Sequence, residues 1–231
     1  MFKKSLIAFA LFPTLAHGAE WKGEGELGYT TTSGNTDSTT LNTKLGVSKE
    51  QDKWKHAASI EALKTETDNV KSADSKVFNE KSEYRFAEKT YAFESIRYED
   101  DKFSGFNYQA SVAVGIGHQF LNSDKHKLDA SAGLGYRKTE DAVTKETSDN
   151  GIMKGDFSYA YKISEYATFS EKALVESGED NTHLESETAL KMKINGNLSS
   201  KISYLVKNNS DVPAGTEKTD TVTTVSLVYG F

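Results

Sequence analysis

The chain has no cysteine, which excludes disulfides, thiolate metal sites and cysteine nucleophiles. It has only two prolines in 231 residues and, beyond its first dozen or so positions, no long apolar run. A membrane-spanning helix needs about 20 consecutive apolar residues, so none is expected after the N-terminal stretch. Basic residues are outnumbered, 28 against 34 acidic, for a formal charge of −6, and the mean hydropathy is −0.59. An acidic chain is a poor non-specific partner for nucleic acid, and none is expected. These shortages leave one class of membrane protein untouched, the β-barrel, because only alternate residues of its strands meet lipid. What is present favours that class. Eleven tyrosines and twelve phenylalanines set against two prolines favour sheet over helix or disorder.

The start reads as a secretory signal over residues 1–18, leaving 19–231 as the barrel. Lys3 and Lys4 precede the short apolar stretch Leu6-Ile7-Ala8-Phe9-Ala10-Leu11-Phe12, and Ala16-His17-Gly18 supplies small residues for cleavage. Removing the two lysines from the 28 basic residues leaves 26 against 34, a charge of −8.

From Trp21 onward, alternating runs of roughly ten to thirteen residues are separated by polar breaks. Period two is the strand signal, because successive side chains point to opposite faces. In one run Phe106, Tyr108, Ala110, Val112, Val114 and Ile116 oppose Asn107, Gln109, Ser111 and Gly115. Twelve such runs can be counted: Trp21–Thr32, Ser38–Lys49, Trp54–Thr65, Val77–Phe86, Tyr91–Glu99, Phe106–Phe120, Lys127–Arg137, Ile152–Lys162, Ala167–Glu176, Thr182–Ile194, Asn197–Lys207 and Thr219–Phe231. The runs from Tyr91 and Ala167 alternate poorly, which allows a bulge or a ten-strand count. Asn195-Gly196 predicts a type I′ hairpin. The fold class is therefore all-β, a single closed antiparallel transmembrane β-barrel of twelve strands, with ten as the alternative.

The three long breaks, 66–76, 138–151 and 208–218, all fall on the same side of the alternation. Short periplasmic turns and longer outer loops are the pattern of an outer-membrane barrel, and an even strand count places both chain ends in the periplasm. Aromatics fall into two belts. One holds Trp21, Trp54, Phe86, Tyr91, Phe93, Phe120, Tyr161, Phe169, Tyr229 and Phe231, the other Tyr29, Phe78, Phe106, Tyr108 and Tyr136.

The last run alternates through Val225, Leu227, Tyr229 and Phe231. It resembles the C-terminal signature of outer-membrane barrels, which implies that Tyr229 and Phe231 are read by the barrel-assembly machinery. The opening Trp21-Lys22-Gly23-Glu24-Gly25-Glu26-Leu27-Gly28-Tyr29, then Thr32-Ser33-Gly34-Asn35-Thr36-Asp37, Asp101-Lys102-Phe103-Ser104-Gly105, Gly115-Ile116-Gly117 and Gly133-Leu134-Gly135 carry a wider likeness. Over almost the whole mature chain they resemble the salt-induced or acid-inducible outer-membrane protein family, a domain of unknown function. That resemblance implies a Gram-negative outer-membrane barrel with a stress-response role, and supplies neither reaction nor ligand.

No constellation for chemistry emerges. His56, His118, His126 and His183 are scattered around the expected barrel and read as interfacial or solvated, so neither a metal nor a cofactor is expected. Ser186 and His183 have opposite parity, which leaves an outer-membrane lipase as a weak third reading. Glu99-Asp100-Asp101 and Glu179-Asp180 read as solvated loop charges rather than calcium sites. The glycines Gly115, Gly117, Gly133 and Gly135 face inward and relieve crowding. The inner wall carries nine acids against thirteen bases; its lumen-lining candidates are Lys191, Lys193, Lys201, Glu185, Glu187, Arg137 and Asp129. Two readings stay open. The charges line a narrow, weakly anion-preferring channel for a small solute or ion, or they pair and plug a structural barrel that contacts lipopolysaccharide, outer-membrane lipid or a partner.

Overall fold

The structure, a computed structural model, describes residues 21–32, 38–68, 70–102, 104–212 and 216–231. The expected signal at 1–18 and the segment 33–37 lie outside the described residues. Twelve strands form: β1 Trp21–Thr32, β2 Ser38–Gln51, β3 Trp54–Thr67, β4 Val70–Arg85, β5 Thr90–Asp101, β6 Phe106–Asn122, β7 His126–Asp141, β8 Thr147–Lys162, β9 Ala167–Gly178, β10 Thr182–Asn195, β11 Leu198–Asn209 and β12 Thr219–Gly230. Each pairs antiparallel with its chain neighbours, and β1 pairs with β12 to close the ring. Twelve strands, not ten, is the count. Closure removes every sheet edge, which in lipid would expose unsatisfied backbone groups.

The barrel is apolar outside and polar inside. Leu27, Ile60, Val114 and Leu134 are each more than half exposed, while Glu26, Arg97, Glu99, Arg137 and Glu176 are buried. A soluble monomer rarely shows so wide an apolar surface. The arrangement is that of a barrel whose outer face meets acyl chains.

Three expectations need correction. The breaks at 66–76 and 138–151 are mostly strand: β3 runs to Thr67 and β4 starts at Val70, while β7 runs to Asp141 and β8 starts at Thr147. A lipid-spanning strand needs only about 9–11 residues. Where strands extend past the lipid, both faces are polar and the period-two signal vanishes. Second, the central pair of the β10–β11 turn is Gly196-Asn197, since Asn195 pairs with Leu198. Of that pair only Gly196 has positive φ, 30°, whereas a type I′ turn needs it at both positions.

Third, the inner face of β5 differs from expectation. Tyr91 and Phe93 do not belong to the belt that holds Trp21 and Trp54; they are buried in the lumen, and Ile96 and Tyr98 face outward. The whole inner face of β5 is thereby reassigned to Tyr91, Phe93, Ser95, Arg97, Glu99 and Asp101. The cause lies on the neighbouring strands. Tyr91 pairs with Gly117 and Phe93 with Gly115, and a Cβ at Gly117 would come within 2.1 Å of the Tyr91 ring. The inward glycines leave volume that these rings fill. No register shift occurs within the β5 pairings, so the poor alternation there reflects aromatics placed inside.

Candidate functional site

The inner wall builds the site. At the end carrying the β2–β3, β6–β7 and β8–β9 turns, the lumen opens into a cavity of about 520 Å³ bordered by Lys55, Lys81, Gln119, Lys127, Asp129 and Lys172. Farther along it narrows to about 40 Å³ between Glu26, Lys44, Glu61, Glu185, Glu187 and Lys201. It widens again to about 120 Å³ near Ser72, Ala73, Asp101 and Asp220. The spaces adjoin. Lys44, Glu61, Glu185 and Glu187 border both the first and second, and Leu63, Leu205, Lys207 and Val222 both the second and third. A water needs roughly 10–15 Å³ of accessible volume, so the waist has room for only a few.

Ion pairs hold that waist and the inner wall beside it. Lys201 on β11 reaches Glu26 on β1 at 3.0 Å and Glu187 on β10 at 2.7 Å. Arg97 on β5 bridges Glu99 at 2.8 Å and Glu185 at 2.7 Å. Lys207 crosses from β11 to Glu99 at 2.5 Å. Lys154 pairs with Glu176 at 3.1 Å, and Ser111 donates to the same carboxylate at 2.8 Å. Charges removed from water are tolerated when paired and hydrogen-bonded in this way.

The sequence-expected residues take these places. Lys201, Glu185 and Glu187 meet at the waist. Arg137 is almost wholly buried and bonds Asp180 at 3.0 Å and the Glu176 carbonyl at 3.2 Å. Asp129 accepts the Tyr91 hydroxyl at 2.6 Å, in the wide cavity. Lys191 pairs with Glu24, and Lys193 is exposed. Tyr229 and Phe231 lie exposed on the outer face at the β1–β12 seam.

Two expectations about charge fail. Glu99 and Asp101 are buried lumen groups rather than solvated loop charges, and Asp180 is bound by Arg137. His183 is not solvated either. It is buried, with Nδ1 on Asn209 Oδ1 at 3.1 Å and Nε2 3.9 Å from carboxylate oxygens of Glu99 and Glu185. Arg97 and Glu99 escape the sequence reading because the run from Tyr91 alternates poorly and its two rings look like members of an aromatic belt. The inward glycines opposite Tyr91 and Phe93 were the signal that would have found them.

Among the described residues of the outer face, a serine and a histidine meet at Ser82 and His56. Ser82 Oγ lies 2.7 Å from His56 Nδ1 but donates to Glu80 at 2.6 Å. With serine between acid and histidine, the imidazole is not set up as its base. Ser186 donates to Glu171 at 2.7 Å, on the face opposite His183.

Comparison with known proteins agrees with this architecture. A family model described as "Protein of unknown function, DUF481" matches residues 25–231. The uncharacterized protein YdiY of Escherichia coli strain K12 is 30% identical over 217 residues, covering 90% of this chain and 82% of that protein. Among solved structures, an outer membrane channel from Pseudomonas putida F1, COG4313, superposes with a TM-score of 0.56 at 9% identity, over 94% of this chain and 97% of that one. The NanC porin superposes with a TM-score of 0.53 at 13% identity, over 90% and 97%. At these identities the structural likeness is one of fold. By sequence, the chain belongs to the DUF481 family, and its fold is a β-barrel of the outer-membrane kind.

Proposed function

We propose that the protein is a non-enzymatic outer-membrane channel of narrow bore, passing water and small ions and holding back sugars. One observation carries this reading. The lumen is a chain of adjoining spaces, about 520, 40 and 120 Å³, that share lining residues across a waist of ion pairs. Ions crossing such a waist exchange hydration for partner groups already in place. The Lys201 and Lys191 pairs cancel the local positive charge, so the channel is close to unselective. The periplasmic end is the wide one. A role in envelope stress, insertion by the barrel-assembly machinery and contact with lipopolysaccharide belong to the same proposal.

A second reading has its own support. The Lys207–Glu99 pair spans the lumen and fits a plugged structural barrel. Liposomes containing the refolded protein separate the two. A channel dissipates a potassium chloride gradient faster than empty liposomes without swelling in sucrose. Leakage equal to that of empty liposomes favours the plug, and swelling in sucrose contradicts the narrow bore.

A further inference from the structure

We propose that Glu99, His183 and Glu185 form a site for one divalent cation of the zinc class, for which the Arg97 guanidinium competes. The three ligand atoms lie within 4.8 Å of one another. They come from β5 and β10, on well-separated arcs of the ring. His183 Nε2 is 3.9 Å from each carboxylate oxygen, beyond hydrogen-bond reach, and this buried atom has no hydrogen-bond partner.

The tautomer of the neutral imidazole follows from a chain of hydrogen bonds. The backbone N–H of Asp211 donates to Asn181 Oδ1 at 3.1 Å, which makes the other amide atom of Asn181 its nitrogen. That nitrogen donates to Asn209 Oδ1 at 2.9 Å. His183 Nδ1, 3.1 Å from the same oxygen, must therefore be the donor there. In the neutral ring Nε2 then carries the lone pair, and it points toward two negative oxygens. Of these three electron-rich atoms the two oxygens share the Arg97 guanidinium, while the imidazole lone pair has no partner. A metal-bound histidine whose other nitrogen donates to an oxygen acceptor is the usual outer-shell arrangement.

The geometry is within reach. Zinc takes imidazole and carboxylate ligands at about 2.0–2.2 Å, which sets tetrahedral ligand atoms roughly 3.4 Å apart. Closing the two 3.9 Å separations needs shifts of about half an ångström, and the two carboxylate oxygens, within 4.8 Å of each other, close by up to about 1.4 Å once the guanidinium between them leaves. One nitrogen and two carboxylate oxygens suit a borderline ion better than calcium or magnesium. A void of about 10 Å³ bordered by Glu99, Glu176 and His183 has room for one bound water.

Arg97 is the competitor. Its Nη2 bonds the same two oxygens, Glu99 Oε2 at 2.8 Å and Glu185 Oε2 at 2.7 Å. Its Nη1 already reaches Asn79 Oδ1 at 3.1 Å, and the residue borders the wide cavity, into which the guanidinium can withdraw. Lys207 occupies the other oxygen of Glu99, so it need not leave. The site stands apart from the channel reading, because binding is measured whether or not the lumen conducts.

The test is isothermal titration of the refolded, chelator-treated chain with zinc chloride, followed by visible absorption with cobalt. The expected result is one saturable zinc per barrel. His183→Gln weakens binding at least tenfold, and Arg97→Gln, which removes the competitor, tightens it at least tenfold. Heat-dependent gel migration shows that each variant is folded. No saturable binding, or binding that His183→Gln leaves unchanged, overturns the site; the latter marks adventitious zinc elsewhere. Arg97→Gln binding no tighter than wild type overturns the competition.

Discussion

Lys207 on β11 donates to Glu99 on β5 across six strands of a twelve-strand ring, the greatest separation the ring allows. Two side chains thus meet near the barrel axis, and both are buried. Removing one partner of a buried pair leaves an uncompensated charge and costs about 3–5 kcal/mol, whereas removing both costs far less. Glu99→Ala and Lys207→Ala are each expected to destabilise the barrel, with the double variant losing at least ~1 kcal/mol less than the sum. Urea unfolding in detergent checks this. Additive losses would mean that the pair is not coupled in the folded barrel.

Tyr91 packs where Gly117 has no side chain, and its hydroxyl reaches Asp129. Tyr91→Phe removes a hydrogen bond to a carboxylate, a loss of about 1.5–3 kcal/mol. Gly117→Val forces the ring aside, an overpacking penalty of ~1–3 kcal/mol. Tyr91→Ala in the same chain should recover part of that second loss. If it recovers nothing, the ring and the glycine are not sharing one volume.

The strand count was legible because lipid meets one face of each strand, and that face writes period two into the sequence. Leu41, Leu45 and Val47 show it on β2. Its limits have the same origin. The extensions of β3, β4, β7 and β8 pass beyond the apolar zone, so nothing in Thr65–Ser75 or Lys138–Asn150 alternates. On β5 the inner face holds Tyr91 and Phe93, which look like lipid-facing residues until they are set against Gly117 and Gly115. With no clear parity on this strand, Arg97 and Glu99 could not be assigned to the lumen. Parity alone brought Lys201, Glu185 and Glu187 to the inner wall. Their partners were not readable, because Lys207 and Glu99 are 108 positions apart and meet only once the ring is closed and staggered.

The Phe231 ring lies over Gly23, where a Cβ would come within 2.1 Å of it, and the two residues exchange backbone hydrogen bonds of 2.7 and 2.9 Å. This contact finishes the β1–β12 seam. Gly23→Leu should displace the ring and lower the temperature at which the folded gel band disappears. Phe231→Asp should also reduce the amount of protein reaching the membrane in cells. Unchanged melting in the first would show that the ring does not hold the seam. Unchanged yield in the second would remove Phe231 from the assembly signal.

Paired lysines make the lumen nearly neutral in effect. In a tenfold potassium chloride gradient, the wild-type reversal potential should lie close to zero. Reversing Lys191, Lys193 and Lys201 together to Glu should move it toward cations, more at low ionic strength, where screening is weaker. An unmoved potential would place these lysines outside the ion path.

Single-channel recording in a planar bilayer tests the waist most directly. The wild-type protein should show a small conductance, and Glu99→Ser with Lys207→Ser should raise it at least threefold, because the pair across the lumen narrows the path. Both proteins must first migrate as folded barrels before boiling. Equal conductance in the two, or silence in both, would contradict a channel limited by its ion-paired waist.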